Sequence, residues 1–214
     1  MKRILLAFSL LLLFACAPLP QIPKRNIYYV GGDNKVKAAL IRAGYSLVDE
    51  FEKTDVFVLN GEIPDVNAIA TKLRSGAGLV LISGKEMSFR DVEVLFDYPV
   101  SAMIPSEEPV NLAVDEYFAK DDPLVKEINW NDAPQVRERA FIMTSAPGNP
   151  FIRVDGYNEV VVGEIAERIF AVDVFLDEQH NLEFQEWKYF DYLIYHLVER
   201  AAGAKPMSYA DYSK

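Results

Sequence analysis

Behind an unbroken apolar run, Leu79-Val80-Leu81-Ile82, stand Ser83, Gly84, Lys85 and Glu86. A serine becomes a nucleophile when a base takes its proton, and a lysine beside a glutamate can bind or polarise a small polar ligand. The position adds weight, because open α/β sheets gather their ligand and catalytic groups just past the carboxyl ends of their strands. These four residues are the chain's candidate ligand-binding group. Nucleophilic attack by Ser83 is not expected: the elbow Gly-x-Ser-x-Gly needs a glycine two places away on either side, and the sequence reads Leu81-Ile82-Ser83-Gly84-Lys85. Ser83 then caps the strand, and Lys85 and Glu86 also fit a solvated loop.

Other chemistry-bearing residues are few. There are two histidines. His180 lies in Asp177-Glu178-Gln179-His180-Asn181, which reads as a solvated loop; with Asp173 or Asp177 it could take a metal, but neither spacing is a recognised ligand pair. His196 falls within a helical stretch beside the apolar stripe, where a half-buried structural role is expected. Gly31-Gly32-Asp33-Asn34 opens a helix whose amides could receive an anion, yet it matches no dinucleotide or triphosphate fingerprint and reads as a turn. Glu107-Glu108 and Asp121-Asp122 read as surface charge. No catalytic residue, metal or cofactor is assigned.

Cys16 is the one cysteine, so an intramolecular disulfide is impossible. Before it come Met1-Lys2-Arg3 and an apolar stretch from Ile4 to Phe14, interrupted by Ser9. A charged start, a short apolar core and a small residue before the cut are the parts of a secretory signal. Eleven residues rise only ~16 Å as a helix, against a bilayer core of ~30 Å, so this is not a permanent span. Leu13-Phe14-Ala15-Cys16 resembles the lipobox of bacterial lipoproteins, with Phe14 departing from the usual residue. The resemblance implies cleavage after Ala15 and lipid on Cys16, and Ala17 resembles the outer-membrane pattern of diderm bacteria. A thioether to lipid would also remove a thiol that is a liability in an oxidising compartment.

The chain has 214 residues and a formal charge of −10. Loss of residues 1–15 removes Lys2 and Arg3, leaving 20 basic against 32 acidic residues and a charge of −12. An acidic body argues against nucleic acid and against basic-patch binding to anionic lipid. The expected organisation is a signal peptide over 1–15, the lipidated cysteine and a tether with Pro18, Pro20 and Pro23 over 16–25, one α/β domain over 26–203, and a frayed tail over 204–214. An extended tether of this kind reaches up to ~28 Å.

The elements that would position the candidate group alternate. Strands are expected over 27–30, 45–48, 55–60 and 79–83. Helices are expected over 35–43, capped by Asp33 or Asn34 and stopped by Gly44, and over 63–73. Such alternation implies right-handed βαβ units and a parallel sheet. A short helix over 91–96 is followed by a proline-interrupted stretch to Pro109 and a helical turn at 121–125. Strands over 141–144, 151–154, 159–164 and 168–175 leave no room for helices and predict an antiparallel extension of the sheet. One amphipathic helix is expected over 184–202. Tyr189, Tyr192 and Tyr195 form an aromatic row on it, packed under the sheet or offered to a partner.

The segments DVFVLNGEIPD, RSGAGLVLISGKEMSF, DDPLVKEINWNDAP and NPFIRV, then VVVGEI, RIFAVDVF and the aromatic helix, resemble in their order the class I glutamine amidotransferase-like fold. The likeness is to its non-catalytic domains in secreted and membrane-attached bacterial proteins. It covers about residues 26–203 and implies a flavodoxin-like three-layer sandwich with a mainly parallel central sheet and an antiparallel C-terminal extension. Active members carry a cysteine after the strand that Leu79 to Ser83 resembles. This chain has no cysteine after Cys16, so that mechanism cannot be carried over. The expected function is that of an inactive, lipid-anchored extracytoplasmic module that binds an envelope protein partner. The alternative is a hydrolase or carbohydrate-modifying enzyme in the manner of trehalose-utilisation-type relatives, which requires His180 or His196 near Glu86. A solute-binding lipoprotein, a third reading, needs a closed pocket.

Overall fold

The computed structural model describes residues 24–214. The expected signal peptide over 1–15, Cys16 with its lipid, and the tether up to residue 23 lie outside the described residues. No helix among the described residues is long and apolar enough to cross a membrane.

The chain runs β1 (Asn26–Val30), α1 (Lys35–Arg42), β2 (Ser46–Leu47), β3 (Val56–Asn60), α2 (Val66–Arg74), β4 (Gly78–Ile82), α3 (Phe89–Phe96), β5 (Val100–Ser106), β6 (Leu112–Val114) and α4 (Pro123–Glu127). It continues with β7 (Arg139–Thr144), β8 (Asn149–Val154), β9 (Val160–Ala166), β10 (Ile169–Val172), α5 (Leu182–Gln185), α6 (Phe190–Ala201) and α7 (Tyr209–Tyr212). Eight strands form one sheet in the order β2-β1-β3-β4-β10-β9-β8-β6, and β5 pairs with β7 in a separate antiparallel ribbon. From β2 through β10 neighbouring strands are parallel; β9, β8 and β6 continue antiparallel.

β3 and β4 are buried at every position, as runs without polar alternation require when both faces of a sheet are covered. Val58, Val80, Ile82 and Val172 face one core with α1 and α6; Phe57, Leu59, Leu79, Leu81 and Ala171 face the other with α2 and α3. Each fully buried Leu, Ile or Phe adds roughly 1.5–3 kcal/mol. Asn34, not Asp33, caps α1: its side chain accepts from the Val36 and Lys37 amides. The end of α6 presses so closely on β4 that a Cβ on Gly78 would lie 2.0 Å from the Ala201 carbonyl oxygen, and Arg168 Nε donates to that same oxygen at 2.8 Å.

Several expectations are corrected. The four C-terminal strands do not form one extension. β10 inserts beside β4 and carries β9 and β8 with it, while β7 leaves to pair with β5, a strand hidden in sequence by Pro105 within it and Pro99 just before it. The last helix is broken between Gln185 and Phe190, because Gln185 Nε2 donates to the Asp177 and His180 carbonyls at 2.7 Å and Trp187 tucks against Trp130 and Phe184. The tail over 204–214 is not frayed. Tyr212 stacks on Tyr195 at 4.8 Å, and the Met207 amide donates to the Tyr195 hydroxyl at 2.9 Å. Tyr192 and Tyr195 are thereby buried, covered by the chain's own end rather than offered to a partner.

Candidate functional site

The candidate group Ser83-Gly84-Lys85-Glu86 does sit at the carboxyl end of β4, but its members part company. Ser83 is 1% exposed. Gly84 lies against the loop after β3, where a Cβ would come 2.3 Å from Gly61 Cα; Gly61 itself has φ +83°. Lys85 and Glu86 form an exposed turn. The two glycines are in backbone contact at the strand ends; next to them the Ser83 hydroxyl is buried, while Lys85 and Glu86 face water.

What Ser83 meets is Asp173. Ile82 and Val172 are register partners on β4 and β10, so the residues after them are neighbours on the opposite face. Asp173 is 4% exposed; its Oδ2 accepts from the Ile142 amide at 3.1 Å, and Oδ1 and Ser83 Oγ make no well-formed hydrogen bond. Burial drives the Asp173 carboxyl well above the ordinary aspartate value and the Glu159 charge adds to this, against the Ile142 amide and the nearby Ser83 hydroxyl. Its surroundings therefore favour the protonated form of the carboxyl.

Asp173 marks the place where the sheet splits. Its backbone amide donates to Val161 on β9 and its carbonyl accepts from Ala140 on β7. Beyond it β7 peels away toward β5, and its Ile142 amide turns to the Asp173 side chain. The wedge between β7 and β9–β10 is a cavity of about 670 Å³ with Ile142, Ile165, Ala171, Pro147 and Asp173 in its lining. Phe118, 54% exposed, is at its rim, held there by Asp115, which accepts from the Tyr117 and Phe118 amides and pairs with Arg153. A cavity of about 810 Å³ along β6 and α4 has no comparably buried ionisable group.

The two histidines sit in different surroundings, each beside an aspartate. His180 Nδ1 is 2.6 Å from Asp177 Oδ2, and Asp177 Oδ1 accepts from the Gln179 and His180 amides. Burial pushes the Asp177 carboxyl up, but those amides and the His180 ring outweigh it and hold it below the ordinary value. Asp173 is turned to Ile142 instead, so the pairing considered between it and His180 is not formed. His196 is fully buried in α6 with both ring nitrogens unpartnered by hydrogen bonds; its Nε2 lies 3.6 Å from Asp122. Among the described residues no three His, Cys, Asp or Glu side chains are grouped as metal ligands. Sequence reasoning passed over Asp173 as part of the site. Its one signal is an acid in the apolar run Ile169 to Leu176.

No protein-family model matches the sequence, and no curated protein matches it. Among solved structures, the crystal structure of SMU.1228c is similar with a TM-score of 0.53 at 10% identity, over 83% of this chain and 98% of that one. The likeness is one of fold. Exo-beta-1,4-mannosidase Op5Man5 from Opitutaceae bacterium strain TAV5 gives a TM-score of 0.48 at 10% identity; the match takes in 87% of this chain and 37% of that one.

Proposed function

We propose that this chain is a membrane-tethered binding module: a flavodoxin-like, three-layer domain of the class I glutamine amidotransferase-like type. In this reading it performs no amidotransferase chemistry and holds a ligand or envelope protein at a bacterial membrane through lipid on Cys16. The observation that carries the reading is the sealed strand end. Ser83 is 1% exposed next to the Gly61–Gly84 contact, and a nucleophile must reach its substrate to act. The helices on both faces of the sheet support the layered build. The open wedge at Asp173 supports binding away from the strand end, and the acidic body favours a lipid anchor over basic-patch attachment.

The test uses the full-length protein in a bacterial host fed an alkyne fatty acid. Wild type is expected to carry the label and sediment with membranes, the Cys16→Ala variant to do neither, and wild type to bring down a stoichiometric partner from gently solubilised membranes. Unlabelled wild type would end the lipid anchor. Hydrolytic turnover by the purified protein, lost on Ser83→Ala, would end the non-catalytic reading.

A further inference from the structure

The wedge between β7 and β9 has the attributes of a small-molecule site. Its volume suits one small ligand, and much of its lining is apolar: Phe141, Ile142, Met143, Pro147, Ile165 and Ala171. In its lining stands one buried ionisable group, the Asp173 carboxyl, 4% exposed, whose inner oxygen Oδ1 is shut in beside the Ser83 hydroxyl without a well-formed hydrogen bond. A carboxyl so poorly hydrogen-bonded in a buried place gains from a further partner, and a ligand oxygen on the cavity side of Asp173 supplies one.

Charge narrows the ligand class. The guanidinium of Arg153 is at the rim, paired with Asp115 and donating to the Asn158 carbonyl at 2.7 Å; it opposes a cation. Outside the lining, the Glu159 carboxylate, bound by Arg139 at 2.6 Å, disfavours negative charge at Asp173, and an anion brought beside Asp173 would meet the same opposition in a poorly solvated space. Either ion would also shed its own hydration on entering, with no free counter-charge to meet it. A neutral molecule meets neither obstacle. Its apolar body is served by the walls, and a single hydroxyl or carbonyl by the acid.

We infer that the β7–β9 wedge binds an uncharged small molecule with an apolar body and one hydrogen-bonding oxygen directed at the Asp173 carboxyl. This deepens the binding-module reading and rests on it. The Asp173 carboxyl positions the ligand and performs no chemistry on it. Phe118 gives the rim an aromatic face that closes over the apolar body.

The test uses full-length protein in lipid nanodiscs, labelled at isoleucine and methionine methyls, titrated with three probes of one shape: adamantanol, adamantyl ammonium and adamantane carboxylate. Adamantanol is expected to shift the Ile142, Met143 and Ile165 methyls saturably, at least about tenfold more tightly than either ion. Asp173→Leu should weaken adamantanol about tenfold while keeping a dispersed spectrum. Should that variant fail to fold, Met143→Trp, a change at the half-open rim, should block the titration instead. Equal affinity for the three probes, no saturable shift at these methyls, or unchanged binding in Met143→Trp would each overturn the inference. The fatty-acid labelling and partner recovery above would stand in any of those cases, so the two failures are distinguishable.

Discussion

Arg25, at the start of the folded body, reaches Glu199 near the end of α6, Nη2 to Oε2 at 3.1 Å, across 174 positions of sequence. Glu199 is 1% exposed and also accepts from the Tyr45 hydroxyl at 3.0 Å. Desolvation and the Glu199 carboxylate together push the Tyr45 phenol far up, so it stays a donor. The pair ties the residue before β1 to the helix that covers one face of the sheet. Glu199→Ala should lower stability by about 2–3 kcal/mol, read as a reduced urea midpoint at unchanged slope, and Glu199→Gln by less. An alanine variant as stable as wild type would mean that the pair is not a clamp.

The contact of Gly84 with Gly61 leaves no room for a methyl group. Gly84→Ala should cost about 2–3 kcal/mol by overpacking against backbone that cannot retreat. Ser83→Ala, by contrast, removes a buried hydroxyl without a well-formed hydrogen bond and should shift stability by less than about 1 kcal/mol. Thermal unfolding of the two variants side by side decides it; a costly Ser83→Ala would show that the hydroxyl's contact with Asp173 holds the strands together.

Two buried groups give opposite dependence on pH. Burial, reinforced by the Arg200 charge, pulls the His196 imidazole from 6.5 down to about 3. The unfolded chain then takes up a proton that the folded chain refuses, so this stability is complete above about pH 6.5 and is lost as pH falls toward 3. Asp173 is raised above 3.8; its contribution is complete below that value and declines as pH rises through its folded range. Asp122, beside His196 and paired with Arg200, and Glu164, also bound to Arg200, complete the first group's surroundings. In denaturation between about pH 4 and 6, His196→Leu should remove an acid-side slope of up to about 1.4 kcal/mol per unit, and Asp173→Asn should remove the opposing one. Unchanged slopes in both variants would mean that neither group stays neutral in the fold.

The C-terminal residues act as part of the core. Tyr192 donates to the Met207 carbonyl and Glu127, Glu127 also accepts from the Tyr209 amide, and the rings of Tyr192, Tyr209 and Tyr212 lie within 5.5 Å of one another in two pairs. Deleting residues 205–214 should cost about 3 kcal/mol or more, from lost burial and aromatic contacts, and expose the tyrosine face. Calorimetry of the truncated chain checks this; an unchanged melting temperature would show the segment to be dispensable.

Local pattern was enough for much of this molecule. The uninterrupted Val56–Leu59 and Leu79–Ile82 runs announce strands buried on both faces, Asn34 and Gly44 bracket α1, and the strand-helix alternation to β4 specifies parallel pairing. These signals lie within a few residues of one another, where backbone preference and side-chain period act. Tertiary structure alone decided that β10 would enter beside β4, that β7 would leave the sheet, and that the last helix would break at Trp187. It also moved the candidate site. Ser83 was legible as a strand-end residue but not as one buried beside Asp173, and the environment of Asp173 depends on Ile142, 31 positions away. Strand partners and the solvation of a carboxyl are set by groups distant in sequence, and no local window contains them.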